Sequence, residues 1–144
     1  MTMSLSQIKK QFLELKAPNS FPVGNFQAEW IGPNWFQTGA SFSLNFMSFR
    51  HWWGKSFDGS EIAYNLFLPP KETEFQLRHP MNLSIAPSRL DKNLSLVLEY
   101  TKNAPFPWPY FIDEFRVLNE TDLLGMSYSK FTPGLALPFL IRKS

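Results

Sequence analysis

The segment PFPWPYFIDEFRVL, from Pro105 to Leu118, joins a proline-rich loop to a predicted β-strand. Its prolines come before the strand, where their missing N–H groups remove no hydrogen bond of a sheet. From Phe111 onward alternate residues are bulky and apolar, so Phe111 and Phe115 are predicted to share an inward face. Asp113 lies between them on that face, and a buried carboxylate must be hydrogen-bonded or paired. The segment therefore predicts a strand with one inward acid and with Arg116 on the outer face.

The same alternation of apolar and polar residues recurs from residue 21 onward. SFSLNFMSF (41–49) places Phe42 and Phe46 on one face, and LSLVLEY (94–100) does the same for Leu98 and Tyr100. Proline, glycine, aspartate and asparagine separate these runs, as turns require. Strands are predicted near residues 26–31, 40–49, 61–68, 73–78, 82–86, 94–101, 111–118, 123–130 and 136–142.

The N-terminal segment has the pattern of a short amphipathic helix. Ser4 is placed to cap it, and Gln7 stands three residues later, in the position of a capping box. Its apolar stripe consists of Leu5, Ile8, Phe12 and Leu15. One helix and about eight or nine antiparallel strands predict an all-β barrel, whose closure removes exposed strand edges; a sandwich is the competing architecture. We expect a single domain over residues 1–144, with the helix and a linker in 1–20 and the barrel in 21–144.

Composition limits the classes of function. The chain of 144 residues is 44% hydrophobic and 17% aromatic, more aromatic than an ordinary core needs. A net charge of +2 without clustered Lys or Arg argues against a nucleic-acid partner. The absence of cysteine excludes disulfides and thiolate chemistry, and no motif predicts a metal or another cofactor. No apolar run is long enough to span a bilayer, and no signal peptide is recognisable, so a cytoplasmic location is expected.

Three blocks of the chain together resemble the GXWXG proteins with their adjoining domain of unknown function. AEWIG (28–32) is similar to the Gly-X-Trp-X-Gly signature, with Ala28 in place of the first glycine. WWGKSFDGSEIAYNLF (52–67) and FIDEFRVLNETDLLGMSYSK (111–130) resemble two further family blocks, in the family's order. The resemblance implies a calycin- or lipocalin-like barrel, in which Trp30 is expected to plug the closed end.

His51 and Asp113 are the candidates for acid–base chemistry. The ordinary pKa of histidine suits proton transfer, but His51 is also explained as a strand-end residue hydrogen-bonded to backbone. Asp113 is predicted either to bind the polar end of a ligand or accept a proton, or to form a structural bond with Lys55, Arg116 or a backbone N–H. The structural interpretation is favoured for both.

The leading hypothesis is that the barrel interior binds a small hydrophobic or aromatic molecule. The residues predicted to line that interior are Phe42, Phe46, Trp53, Tyr64, Leu98, Tyr100, Phe115, Met126 and Tyr128. The alternative is a cofactor-independent isomerase or cyclase that acts on a hydrophobic metabolite, with Asp113 and His51 as catalytic residues. A third possibility is a protein-interaction module with aromatic residues on the outside, and a homodimer is compatible with each.

Overall fold

The fold is an antiparallel barrel closed by the pairing of its last strand with its first. A computed structural model describes residues 3–46 and 49–144. The strands are β1 (Val23–Trp30), β2 (Trp52–Asp58), β3 (Ile62–Phe67), β4 (Gln76–Pro87), β5 (Leu94–Tyr100), β6 (Phe111–Val117), β7 (Asp122–Ser129) and β8 (Leu137–Lys143). Each pairs with its neighbours in sequence order. The predicted all-β barrel with a short N-terminal helix is confirmed, and the sandwich is excluded.

The N-terminal helix α1 (Leu5–Glu14) forms as the sequence predicts. The Ser4 side chain accepts a hydrogen bond from the Gln7 backbone N–H, and the Gln7 side chain accepts one from the Ser4 backbone. Both bonds satisfy N–H groups that the first turn leaves without partners. The apolar stripe of α1 packs outside the barrel, where Ile8 and Phe12 meet residues of β7.

A buried arginine ties α1 to the barrel wall. Arg116 lies on the outer face of β6, as predicted, but it is completely buried. Its guanidinium donates two hydrogen bonds to Asp91, at 2.9 and 2.6 Å, and one to Ser95 at 2.8 Å. It also donates to the carbonyl oxygen of Phe12 at the end of α1 and lies 4.5 Å from that residue's ring. The outer face of β6 is therefore a second packed layer.

A second helix, α2 (Asn34–Phe46), occupies most of the segment predicted as a strand over 40–49, so that prediction is wrong. Phe36, Ala40 and Leu44 recur every four residues, a spacing that keeps them on one face of a helix with 3.6 residues per turn. That apolar stripe competes with the two-residue alternation of 41–49. The helix begins directly after Pro33, whose carbonyl accepts from the backbone N–H groups of Phe36 and Gln37. Residues 47 and 48, at the end of the predicted strand, lie outside the described residues.

Two other strand predictions are corrected. Strand β2 (Trp52–Asp58) was not predicted, and the predicted strands 73–78 and 82–86 are parts of one strand, β4. A bulge joins those parts, because two residues of β4, His79 and Pro80, stand opposite one residue of β3. His79 has a φ of 51°, and the bulge accommodates a proline that a regular ladder would exclude.

The two ends of the barrel differ. The helix end carries the long connections, namely residues 31–51 with α2, 68–75, 101–110 and 130–136. The turn end carries the short connections 59–61, 88–93 and 118–121. Side chains such as Met81, Leu96, Leu98 and Phe115 are fully buried between the two ends and fill the inside of the barrel. Neither α1 nor α2 has the length and apolarity needed to cross a bilayer.

Candidate ligand-binding site

An ion pair lies inside the barrel. Lys55 Nζ is 3.0 Å from Asp113 Oδ2, and both side chains are almost completely buried. The ammonium group also donates to Asn65 Oδ1 at 2.9 Å and contacts Met81 Sδ at 3.3 Å. The structure thus confirms that Asp113 faces inward and pairs with Lys55. A lysine with three partners is compatible with burial, since each N–H has an acceptor.

Asn65 and Tyr100 extend this pair into an interior polar cluster made of Lys55, Asn65, Tyr100 and Asp113. Asn65 accepts from Trp52 Nε1 at 3.1 Å and donates to the His79 carbonyl at 2.9 Å. Burial raises the pKa of the Tyr100 phenol well above its ordinary value, and the charge of Asp113 raises it further. The Tyr100 phenol therefore stays protonated at neutral pH.

Helix α2 covers the helix end, and an apolar cleft of about 400 Å³ lies between α2 and the barrel. The aromatic part of its lining is Trp30, Trp35, Phe36, Trp108 and Phe111, and Leu44 and Leu137 complete the apolar wall. Gly39, an exposed residue, also lines this cleft, and a Cβ added there would meet no heavy atom of another part of the protein within 4 Å. The space beside Gly39 is therefore open.

A second, more polar cleft of about 410 Å³ lies between α2, the end of β1 and the start of β2. Its polar lining comes from Glu29, Gln37, Ser41 and His51. Gln37 is oriented by a hydrogen bond from its Nε2 to the Gly32 carbonyl at 2.8 Å. His51 is exposed and has a φ of 67°, which is unusual for a residue with a side chain. This polar cleft offers a carboxylate, an amide and an imidazole, whereas the polar side chains lining the apolar cleft are the two serines Ser43 and Ser127.

Trp30 and Leu44 line both clefts and form the wall between them. The Trp30 ring packs on Phe36 of α2 at 5.9 Å and on Phe139 at 5.4 Å. Trp30 is half-buried, and it lies at the end that α2 covers. Trp52 lines the polar cleft and also donates to Asn65, so its side chain connects that cleft with the interior polar cluster.

The structure brings some of the predicted site residues together. Leu98, Tyr100 and Phe115 belong to the buried interior beside Asp113. His51 lies in the wall of the polar cleft, whereas Asp113 lines neither cleft. Their assignment as a catalytic pair stays a prediction.

Other predicted lining residues do not face the interior. Gly125 of β7 faces inward, where an added Cβ would meet the Phe115 ring. Because successive residues of a strand face opposite sides, Met126 and Tyr128 lie on the outer face of β7. Tyr64 is exposed and alternates with the buried residues Ala63 and Asn65, so it also points outward. The inward orientation expected for these three side chains is wrong.

Three further predictions concern aromatic residues near α2. Phe42 is 64% exposed on α2, because the segment is helical and turns this position to solvent. The Phe46 side chain lies outside what the structure describes. Trp53 packs on Phe75 at 4.6 Å, while a register shift between Trp52 and Gly54 turns Trp52 into the core. Trp52 therefore packs against the barrel interior, as was expected of Trp53.

The sequence did not identify Trp52 or Asn65 as interior residues, and it indicated Lys55 only as one of several possible partners of Asp113. A signal for Lys55 was present, since it stands two residues before the apolar Phe57 in an alternating run. Within residues 3–46 and 49–144, no three His, Asp or Glu side chains come together as a metal site would require.

Comparisons with known proteins add information on the fold. No protein-family model matches the chain, and no curated protein is similar to it in sequence. A crystal structure of a protein from Thermomonospora curvata is similar in fold, with a TM-score of 0.74 at 17% sequence identity. The match covers 99% of this chain and 89% of that one. At this identity the likeness shows a shared fold, and membership of the GXWXG family stays a prediction.

Proposed function

We propose that the protein binds a small hydrophobic molecule with an aromatic or aliphatic body in the apolar cleft beneath α2. The observation that carries the proposal is the lining of this cleft by five aromatic side chains around open space at Gly39. Aromatic rings supply large, rigid contact areas for an apolar ligand. A volume of about 400 Å³ falls within the usual range for small-molecule sites.

The neighbouring polar cleft supports a ligand that also carries one hydrogen-bonding group. Trp30 and Leu44 line both clefts, so a ligand whose body packs on Trp30 can direct a polar end toward Gln37 or His51. Few, well-placed polar groups are the usual means by which an apolar site orients its ligand. The proposed binding site is therefore at the helix end of the barrel, whereas the sequence predicted it inside the barrel.

The test uses Gly39, because it lines the apolar cleft on a regular helix. Gly39→Leu is designed to fill the cleft, while Thr38→Leu adds the same side chain at the adjacent position of α2, which does not line the cleft. The neutral dye N-phenylnaphthylamine serves as the probe, and its fluorescence titration gives Kd. We expect Gly39→Leu to weaken binding by about tenfold or more, and Thr38→Leu to change it by less than about twofold. Equal binding by both variants contradicts the proposal.

Native mass spectrometry of the purified protein provides an independent measurement. A co-purified apolar molecule should be present in the wild type and depleted in Gly39→Leu. A ligand retained equally by the two proteins would lie elsewhere.

An isomerase or cyclase is the second candidate, and the position of His51 favours it. This exposed histidine lies in the polar cleft, next to the apolar site, where it can reach a ligand's polar end. A molecule recovered from the wild type would be incubated with wild type and His51→Gln, and conversion followed by mass spectrometry. Catalysis by His51 predicts a loss of about 10²-fold or more in rate. If the wild type does not convert the molecule, the isomerase or cyclase is contradicted and binding remains the proposed function.

A further inference from the structure

Large apolar side chains are exposed along one side of the helix end. Phe106 is 81% exposed, Phe131 is 75% exposed and Trp35 is 71% exposed. Tyr110, Leu135 and Leu137 are exposed in the same connections or at the start of β8. We call these six side chains the aromatic rim. Exposed apolar side chains in such a concentration mark a surface that contacts something other than water.

The rim is continuous with the apolar cleft. Tyr110 contacts Phe106 on one side, at 6.1 Å between ring centroids, and Phe131 on the other, at 5.6 Å. The backbone N–H of Lys130 donates to the Tyr110 carbonyl at 2.8 Å, which holds the connections 101–110 and 130–136 together. Trp35 and Leu137 belong both to the rim and to the lining of the cleft. A molecule that leaves the rim surface can therefore enter the cleft without crossing a polar barrier.

The charged side chains beside the rim, Lys102, Lys130 and Glu99, carry a small net positive charge. Helix α2 has no charged residue, and the connections 101–110 and 130–136 contain Lys102 and Lys130 but no acid. Glu99 of β5 lies 3.7 Å from Lys130 and partly balances it. The acids Glu72 and Glu74 lie in the β3–β4 connection, which the strand order puts on the opposite side of the barrel from β7–β8.

The geometry points to docking of the aromatic rim on an anionic lipid surface, from which the hydrophobic ligand enters the apolar cleft. Trp, Tyr and Phe side chains partition into the interface of a bilayer, and nearby lysines are attracted to anionic headgroups. This inference rests on the proposed function, since it supplies the route by which an apolar ligand reaches its site.

A second copy of the chain fits the rim less well than a lipid surface does. In a two-fold symmetric dimer the same patch meets itself, so Lys102 of each copy would approach a rim whose Glu99 already pairs with Lys130. An anionic surface instead neutralises Lys102 and Lys130 together. The positive rim therefore favours lipid.

Co-sedimentation with vesicles tests the inference. The probes are vesicles of phosphatidylcholine mixed with phosphatidylserine and vesicles of phosphatidylcholine alone. We expect the wild type to bind the mixed vesicles more strongly, and added salt to weaken that binding because it screens the lysines. The double variant Phe106→Ser/Phe131→Ser should lose about tenfold or more of its vesicle affinity. The control Val23→Ser/Leu94→Ser removes two exposed apolar side chains at the turn end and should bind as the wild type does.

The outcomes separate this inference from the proposed function. N-phenylnaphthylamine titration without vesicles reports on the cleft alone and should be unchanged in the rim double variant. If the wild type binds the dye but does not bind the mixed vesicles, the lipid-docking inference is overturned and the proposed binding function stands. Vesicle binding that the rim variant retains also overturns it. Concentration-dependent self-association that the rim variant abolishes would identify a second copy as the occupant instead.

Discussion

Lys55 and Asp113 connect opposite sides of the barrel through their side chains. Lys55 belongs to β2 and Asp113 to β6, which stand four positions apart in the ring of strands, and 3.0 Å separates Nζ from Oδ2. Both residues are almost fully buried among apolar side chains. An ion pair in such surroundings contributes little net stability, yet the loss of one partner leaves the other charge without compensation. The pair therefore constrains which substitutions the interior tolerates.

The first prediction concerns removal of one charge against removal of both. Asp113→Leu leaves the Lys55 ammonium buried with only Asn65 as an oxygen acceptor, and should lower the free energy of unfolding by about 3–5 kcal/mol. The double variant Lys55→Met/Asp113→Leu should recover most of that loss. Urea unfolding followed by tryptophan fluorescence measures both values. A double variant as unstable as the single one would show that the charges themselves are not the determinant.

The second prediction concerns Gly54, where two strands approach closely. A Cβ added there would lie 1.9 Å from the Phe26 carbonyl oxygen, a backbone atom that cannot rotate away. Gly54→Ala should therefore destabilise the protein by more than about 3 kcal/mol or prevent folding. Gly39→Ala is the matched control, since its Cβ meets open space on α2 and should stabilise by about 0.5–1 kcal/mol. Similar midpoints of thermal unfolding for the two variants would contradict the argument.

The sequence predicts the barrel well because its strands alternate in polarity with a period of two. The same criterion fails over 41–49, where an alternating pattern coincides with a four-residue stripe that begins at Phe36. Which period is realised depends on what covers the helix end of the barrel. That information lies in the tertiary structure and is not local to the segment.

The predicted inward orientation was correct at Asp113 and Phe115 but wrong at Met126 and Tyr128. Alternation identifies two faces of a strand and indicates the inner one only when the outer face is polar. In β7 both faces are buried, because α1 packs over Met126 on the outside. An apolar residue in β7 can therefore face either the barrel interior or α1, and alternation does not show which. The clefts beneath α2 could not be predicted from this pattern.

The third prediction concerns acid stability and the Arg116–Asp91 contact. The bidentate hydrogen bonds from Arg116 lower the pKa of Asp91 below its ordinary value of 3.8. A carboxyl with a depressed pKa contributes stability above its unfolded-state pKa and loses it as pH falls through the folded-state pKa. The wild type should therefore lose part of its stability below about pH 4. Asp91→Asn should be less stable at neutral pH, and its melting temperature should fall less on acidification.

A control for that measurement is available in Asp58, which lies at the turn end of β2 and is exposed. Its pKa is lowered chiefly by a hydrogen bond from the neighbouring Ser60, so Asp58→Asn should remove only a local contact. We expect the acid-dependent loss of stability to remain in Asp58→Asn. A profile for Asp91→Asn that parallels the wild type down to low pH would show that the Arg116 contact does not carry the effect.

The fourth prediction concerns alkaline unfolding and the two buried tyrosines. Burial raises the pKa of Tyr100 and of Tyr128 above 10.0, reinforced by Asp113 for the first and by the hydrogen bond to Glu114 for the second. A raised folded-state pKa gives stability that is complete below the unfolded-state pKa and is lost as pH rises through the folded-state pKa. Unfolding should therefore begin above about pH 10, and these phenols should ionise only as the barrel opens.

Absorbance at the tyrosinate band and circular dichroism, recorded on one titration, measure both events. Tyr128→Phe should remove a tyrosinate step that coincides with the loss of β-structure, whereas Tyr64→Phe, at an exposed position, should leave that step in place. Full ionisation of tyrosine while the circular dichroism stays native would contradict the burial of these hydroxyl groups.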